Sequence, residues 1–176
     1  DARPRANALT AQMAALTIRV GVPVSRLIYQ DQDSHQTLSE GLAEYYRSNG
    51  ERVLPPSSLT PESAALFRSH DICHVIFGLD TTLADEAMVD TRTMLSCDVG
   101  AARYAKYLAT NKDAQNIFKE VGYGSVLWTT VKTVPRLLRA FAESTRQKRK
   151  WPWIPPQDYE HRTLAELRRE YGIRVV

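Results

Sequence analysis

Four ionisable side chains near the middle of the chain could do chemistry together. His70, Asp71 and His74 lie in the run Ser69-His70-Asp71-Ile72-Cys73-His74-Val75-Ile76-Phe77-Gly78, and Glu86 stands twelve residues past the second histidine. Imidazoles and carboxylates are ligands for zinc and its neighbours, and two histidines at i, i+4 on a helix can share one ion. Turning a helix by 100° per residue puts His74 roughly 40° and Asp71 roughly 100° from His70. The spacing therefore predicts a metal site of His70, Asp71, His74 and Glu86. The competing reading is a structural His/Asp pair, since helical histidines are commonly just hydrogen-bonded or solvated. Phe67 and Gly78 fall in the same arc, and Gly78 leaves it without a side chain where a ligand or another backbone could approach.

The elements that must position these groups follow from local signals. Thr60-Pro61-Glu62 is a helix start, with an N-cap, a proline in the first turn and an acid at the positive end of the dipole. The helix it opens runs to about Phe77, with Leu66, Ile72, Cys73, Ile76 and Phe77 around most of its circumference, which predicts a central buried helix. Asp80-Thr81-Thr82 caps the next helix from about Leu83. The short turn between them predicts an antiparallel hairpin that brings Glu86 back to His74. Asp90, one turn beyond Glu86, would then approach His70 as a ligand, a proton carrier or a hydrogen-bonding group for substrate. Cys97 falls near the same stripe.

Elsewhere the pattern is helical again. Helices are expected over residues 7–20, from Ser34 to Ser48 before Asn49-Gly50, over Ala101–Leu108 and Asp113–Glu120, from about residue 125 to Ser144 with a kink at Pro135, and from Thr163 to Tyr171 before Gly172. The Val- and Thr-rich stretch 125–134 also has strand character, but the spacing of Val131, Val134, Leu138 and Phe141 favours helix. The fold class expected is all-α: one domain over residues 1–176, a helical bundle with a central antiparallel hairpin carrying the metal motif.

A chain of 176 residues can bury a real core. Its net charge of +3 is too small to suggest a nucleic-acid partner. Two cysteines, Cys73 and Cys97, in apolar surroundings read as buried free thiols, which fits a reducing compartment. No apolar run is long enough to span a bilayer and no signal-peptide pattern appears, although the sequence begins at Asp1, so a segment ahead of it could have been removed. The basic run Arg146, Lys148, Arg149, Lys150 followed by Trp151-Pro152-Trp153 suits a membrane-water interface. Against that stands a solvated basic helix end followed by an aromatic loop packed on the core.

The complete motif, His70-Asp71-x-x-His74 followed by eleven residues and Glu86, resembles that of the ubiquinone (coenzyme Q) biosynthesis Coq-four family. Asp158-Tyr159-Glu160, Leu164, Leu167-Arg168 and Tyr171-Gly172-Ile173 resemble its C-terminal part, so the likeness covers roughly residues 60–176. The chain departs from the family in having Asp85 before Glu86, where glycine is usual, and Met88-Val89-Asp90-Thr91 after it. The resemblance implies an all-helical fold. It also implies a divalent metal held by His70, Asp71, His74 and Glu86, with zinc the first expectation and magnesium or iron the others. Its implied ligand is a prenylated quinone precursor, with oxidative decarboxylation of the ring as the candidate reaction. Implied partners are other quinone-biosynthesis proteins, a membrane surface and a second copy in a homodimer, with a cytoplasmic location peripheral to the inner membrane, or the matrix side in a mitochondrion.

Three functional readings stand side by side. As an enzyme, the metal would act as a Lewis acid and Asp90 would carry a proton. As a non-catalytic scaffold, a bundle lined by Phe67, Gly78, Leu83 and Met94 would hold a prenyl tail. A metal-dependent phosphohydrolase is the third reading, with His35 and Asp90 as stand-ins for its further ligands.

Overall fold

The computed structural model describes residues 26–50, 59–111, 115 and 123–175. They form an all-α bundle of α1 (Leu38–Asn49), α2 (Pro61–Phe77), α3 (Leu83–Ser96), α4 (Ala101–Thr110), α5 (Tyr123–Arg146) and α6 (Leu164–Tyr171), with 3-10 turns at Ile28–Gln30 and Gln157–His161. Among the described residues there is no strand, only two isolated bridges, Thr37 with Thr163 and Cys97 with Trp151. The helices expected over 7–20 and Asp113–Glu120 lie outside the described residues, apart from helical Gln115.

Local chemistry explains most helix ends. Thr60, Thr82 and Thr163 each accept a hydrogen bond from the backbone N–H three residues on, so α2, α3 and α6 start with one orphan donor satisfied. The second expected helix starts later than Ser34. Thr37 is its N-cap, because Thr37 and Glu40 form a reciprocal capping box, whereas Ser34 accepts from the N–H of Gln36 in a turn. Pro135 sits within α5, which continues to Arg146.

Helix α2 is the centre. From Ser69 to Phe77 every residue except His70 is buried. Helix α1 crosses it closely because Gly41 has no side chain: a Cβ there would stand 2.8 Å from Val75 Cγ1 and 3.0 Å from Leu164 Cδ1. Gly78 ends α2 in the left-handed conformation, φ 71°, with the N–H of Leu79 returning to the His74 carbonyl at 2.9 Å.

The C-terminal helix locks this end of α2. Arg168 of α6 is fully buried, and its guanidinium donates to the carbonyls of Ile76 at 2.9 Å, Val75 at 2.7 Å and Tyr29 at 2.6 Å, and to that of Asp31. Ile76 and Val75 are last-turn carbonyls, the latter also accepting from the Gly78 N–H at 3.2 Å, and a cation is favoured at that negative end. Burial pushes the Arg168 pKa down to about 10, so it keeps its charge at neutral pH.

The segment after α5 is an aromatic loop packed on the core, the alternative set against a membrane interface for its tryptophans. Trp151 is fully buried and Trp153 nearly so. The Trp151 backbone N–H donates to the Ser96 carbonyl at 2.8 Å, and the Trp153 backbone N–H to Asp98 Oδ1 at 2.8 Å. Lys148, Arg149 and Lys150 remain exposed, with Arg149 stacked over the Tyr171 ring at 4.1 Å and paired with Glu170. Among the described residues no helix is long and apolar enough to cross a membrane.

Candidate metal centre

Helices α2 and α3 run antiparallel, and their facing i, i+4 pairs meet rung by rung. His74 Nε2 lies 3.4 Å from Glu86 Oε1, His70 Nε2 lies 3.5 Å from Asp90 Oδ1, and the diagonal from His70 Nε2 to Glu86 Oε2 is 3.8 Å. The His70 and His74 rings meet edge to face at 4.7 Å, and Tyr45 of α1 stacks on His74 at 5.2 Å. Ligand atoms of His70, His74 and Glu86 all fall within 4.8 Å of one another.

The electrostatics follow from three acids, Asp71, Glu86 and Asp90, around two imidazoles. Burial alone lowers the His70 pKa, but contact with Asp90 and the charges of Glu86, Asp90 and Asp71 outweigh it and raise the value from 6.5 to about 10. Burial pushes Glu86 up, yet His74 and His70 pull it below the ordinary carboxylate value. Asp71 goes the other way: burial raises it, only partly offset by the histidines and a hydrogen bond from Tyr46.

The residues present fit a metal ion. His74 is fully buried, and among the described residues neither ring nitrogen has a hydrogen-bond partner. An orphaned buried imidazole is unfavourable unless something else occupies its lone pair. The facing distances of 3.4–3.8 Å are long for charge-assisted hydrogen bonds. Donors about 2.0–2.2 Å from one zinc ion stand about 3.3–3.6 Å apart at the corners of a tetrahedron. One carboxylate and two imidazoles with an open side make a donor set suited to zinc or iron, and a magnesium ion would prefer more oxygen.

The expected site residues separate into groups. His70, His74 and Glu86 come together, and Asp90 borders them on the His70 side. Asp71 is turned toward α1, where it accepts from the hydroxyl of Tyr46 at 3.1 Å and that of Tyr45 at 3.5 Å, so it stands outside the cluster. The 100° step from His70 that kept it in the expected sector points it to a different neighbouring helix. Tyr104 of α4 was not anticipated; its hydroxyl donates to Asp90 Oδ1 at 2.6 Å, and its ring packs on Trp153 at 5.5 Å. No local spacing links residue 104 to residue 90. Cys73 and Cys97 are buried and free, Sγ to Sγ 3.8 Å, and pack against each other rather than on the ligands. His35 is exposed beside the start of α6, away from the cluster.

A cavity of about 660 Å³ opens on the neighbouring face of α2. Leu66 and Ile72 of α2, Tyr107 of α4 and Trp153, Ile154 and Pro155 give it an apolar wall, and Arg68 and Glu160 stand at its polar edge. None of Phe67, Gly78, Leu83 or Met94 lines it. Gly78 is packed under Val175, whose Cγ1 takes the space a side chain would need, and Met94 packs on the hydrophobic core. The sector expected to stay open at Gly78 is filled by the C-terminal tail because the αL turn brings that tail across the helix end.

No family model, curated protein or solved structure matches the chain.

Proposed function

We propose that this protein binds a divalent metal, zinc first, through His70, His74 and Glu86, and uses that centre on a prenylated aromatic acid of the kind met in ubiquinone biosynthesis. The single observation behind it is His74: a fully buried imidazole that makes no hydrogen bond among the described residues and whose Nε2 meets a carboxylate at 3.4 Å. The motif spacing and its resemblance to the Coq-four family support the substrate class. When bound, the ion supplies a Lewis acid that draws electron density from a ring oxygen or carboxylate.

The chain's own residues do the rest. The Glu86 side chain is 37% exposed and that of Asp90 24%, so the α2–α3 seam is open to a polar head group while His74 stays dry. The cavity on the next face of α2 has the size and apolar wall that suit a prenyl tail. Loss of carbon dioxide would leave electron density on the ring, and a fixed positive charge beside it would favour the transition state over the ground state. Asp90, held by Tyr104, is the carboxylate placed to hold or move a proton there.

One observation favours the scaffold reading: none of the cavity-lining residues is a candidate ligand. In that reading the tail is held without turnover. The test uses cells unable to make ubiquinone for want of their own family member. Wild-type protein restores the quinone, and Glu86→Ala accumulates a carboxylated precursor. Equal rescue by Glu86→Ala would reject chemistry at this centre and leave the scaffold.

A further inference from the structure

We infer that Asp90, and not Asp71, is the second carboxylate of the metal centre, and that Tyr104 is the residue that aims it. The inference rests on the metal-binding reading above and concerns which side chains complete the site. Two antiparallel helices present two rungs, and the rungs are nearly equal: 3.4 Å from His74 Nε2 to Glu86 and 3.5 Å from His70 Nε2 to Asp90. Both are close to the edge of a zinc tetrahedron. Glu86 and Asp90 are i, i+4 on α3, as His70 and His74 are on α2, so the seam presents two side chains from each helix, with His70, His74 and Glu86 converging within 4.8 Å and Asp90 beside His70.

Asp90 has the support that a ligating carboxylate needs. Its Oδ1 accepts from the buried Tyr104 hydroxyl at 2.6 Å, and the Tyr104 ring is held edge-on by Trp153. Such outer contacts orient a ligand and lower the entropy lost when an ion binds. Asp71 has the opposite arrangement. Both of its oxygens face tyrosine hydroxyls of α1 and the side chain is buried, whereas Asp90 Oδ1 stands 3.5 Å from His70 Nε2. To reach the seam it would have to leave both tyrosines and turn through the core, which close packing opposes. Asp71 and its tyrosines therefore anchor α1 to α2.

Cobalt(II) titration of chelator-treated protein, read by the visible absorption of the bound ion, tests this without any assay of activity. Wild type binds one cobalt per chain. Asp90→Asn weakens binding at least about tenfold and shifts the visible bands, because a ligand is replaced. Tyr104→Phe, which removes one hydroxyl and keeps the ring, weakens binding about tenfold without unfolding the chain, as thermal melting of the metal-free protein shows. Asp71→Asn leaves the spectrum and the affinity as in wild type. Wild-type affinity and spectrum in Asp90→Asn, or loss of binding in Asp71→Asn with its fold intact, would overturn the assignment while leaving the metal centre standing. Failure of wild type to bind cobalt or zinc would overturn the metal centre and the assignment together.

Discussion

The two ends of the buried half of α2 handle charge in opposite ways. At the C-terminal end Arg168 is buried with four carbonyls around its guanidinium, and two of them belong to the last turn of α2. At the α2–α3 seam His74 is equally buried, yet neither of its nitrogens makes a hydrogen bond among the described residues and the carboxylates stand back at 3.4–3.8 Å. Desolvation is unfavourable in both places. One region is complete with the chain alone, so its contribution is architectural. The other is left short by the chain, and that shortfall is what a bound ion would supply. Burial of a polar group thus says little by itself; the state of its partners separates a structural group from one kept for a ligand.

The largest effect that sharpens this contrast is at the completed end. Arg168→Leu should destabilise the fold by at least about 3 kcal/mol, because several buried acceptors lose a charged donor at once. Chemical denaturation should show the same loss with and without zinc. His74→Leu is the mirror experiment. In metal-free protein it should change stability by no more than about 1.5 kcal/mol, since an unpartnered polar group is replaced by an apolar one. It should abolish any zinc-dependent gain, which for wild type at a hundredfold excess over Kd is about 2.7 kcal/mol. A large loss on His74→Leu in metal-free protein would make the seam as architectural as the Arg168 end.

A third effect is in pH. His70 in metal-free protein has a pKa raised from 6.5 to about 10, so the folded state holds its proton more tightly than the unfolded chain. That contribution is fully present below pH 6.5 and is lost as pH rises through 10. Thermal melts of chelator-treated protein should therefore fall over that window, and His70→Asn should flatten the fall. Zinc needs the neutral imidazole, so zinc-loaded protein should gain relative to metal-free protein across the same range. The smallest effect is a control on the helix that carries both regions. Thr60→Ala removes the N-cap of α2 and should lower stability by about 1 kcal/mol in both metal-free and zinc-loaded protein. A larger loss in the zinc-loaded form would mean that the cap and the seam are coupled.

Much of the frame was legible from local chemistry. Thr60-Pro61-Glu62 and Gly78 bracket α2, Thr82 opens α3, and the short turn between them implies the antiparallel seam where His74 meets Glu86. The start of α1 was legible too: Thr37-Leu38-Ser39-Glu40 is a capping-box pattern that outranks Ser34. What spacing did not carry is the choice of neighbour. Helical angle puts Asp71 on a sector but does not say whether α1 or α3 faces that sector. The hydrogen bond from Tyr104 to Asp90, the reach of Arg168 across to α2, and the burial of Trp151 and Trp153 all join residues distant in sequence, which no local period encodes. Gly78 was read as an opening because its missing side chain was visible, whereas Val175, which fills it, lies at the far end of the chain.

Metal binding at the seam decides between a ligand site and a structural cluster. Calorimetric titration of zinc into chelator-treated wild-type protein, with His74→Leu alongside, measures this most directly. The prediction is one ion per chain for wild type, with net proton release at neutral pH as His70 gives up its proton, and no binding at this site in His74→Leu. No heat and no bound zinc, magnesium or iron in wild type would contradict it, and the seam would then be a structural cluster of two histidines and their acids.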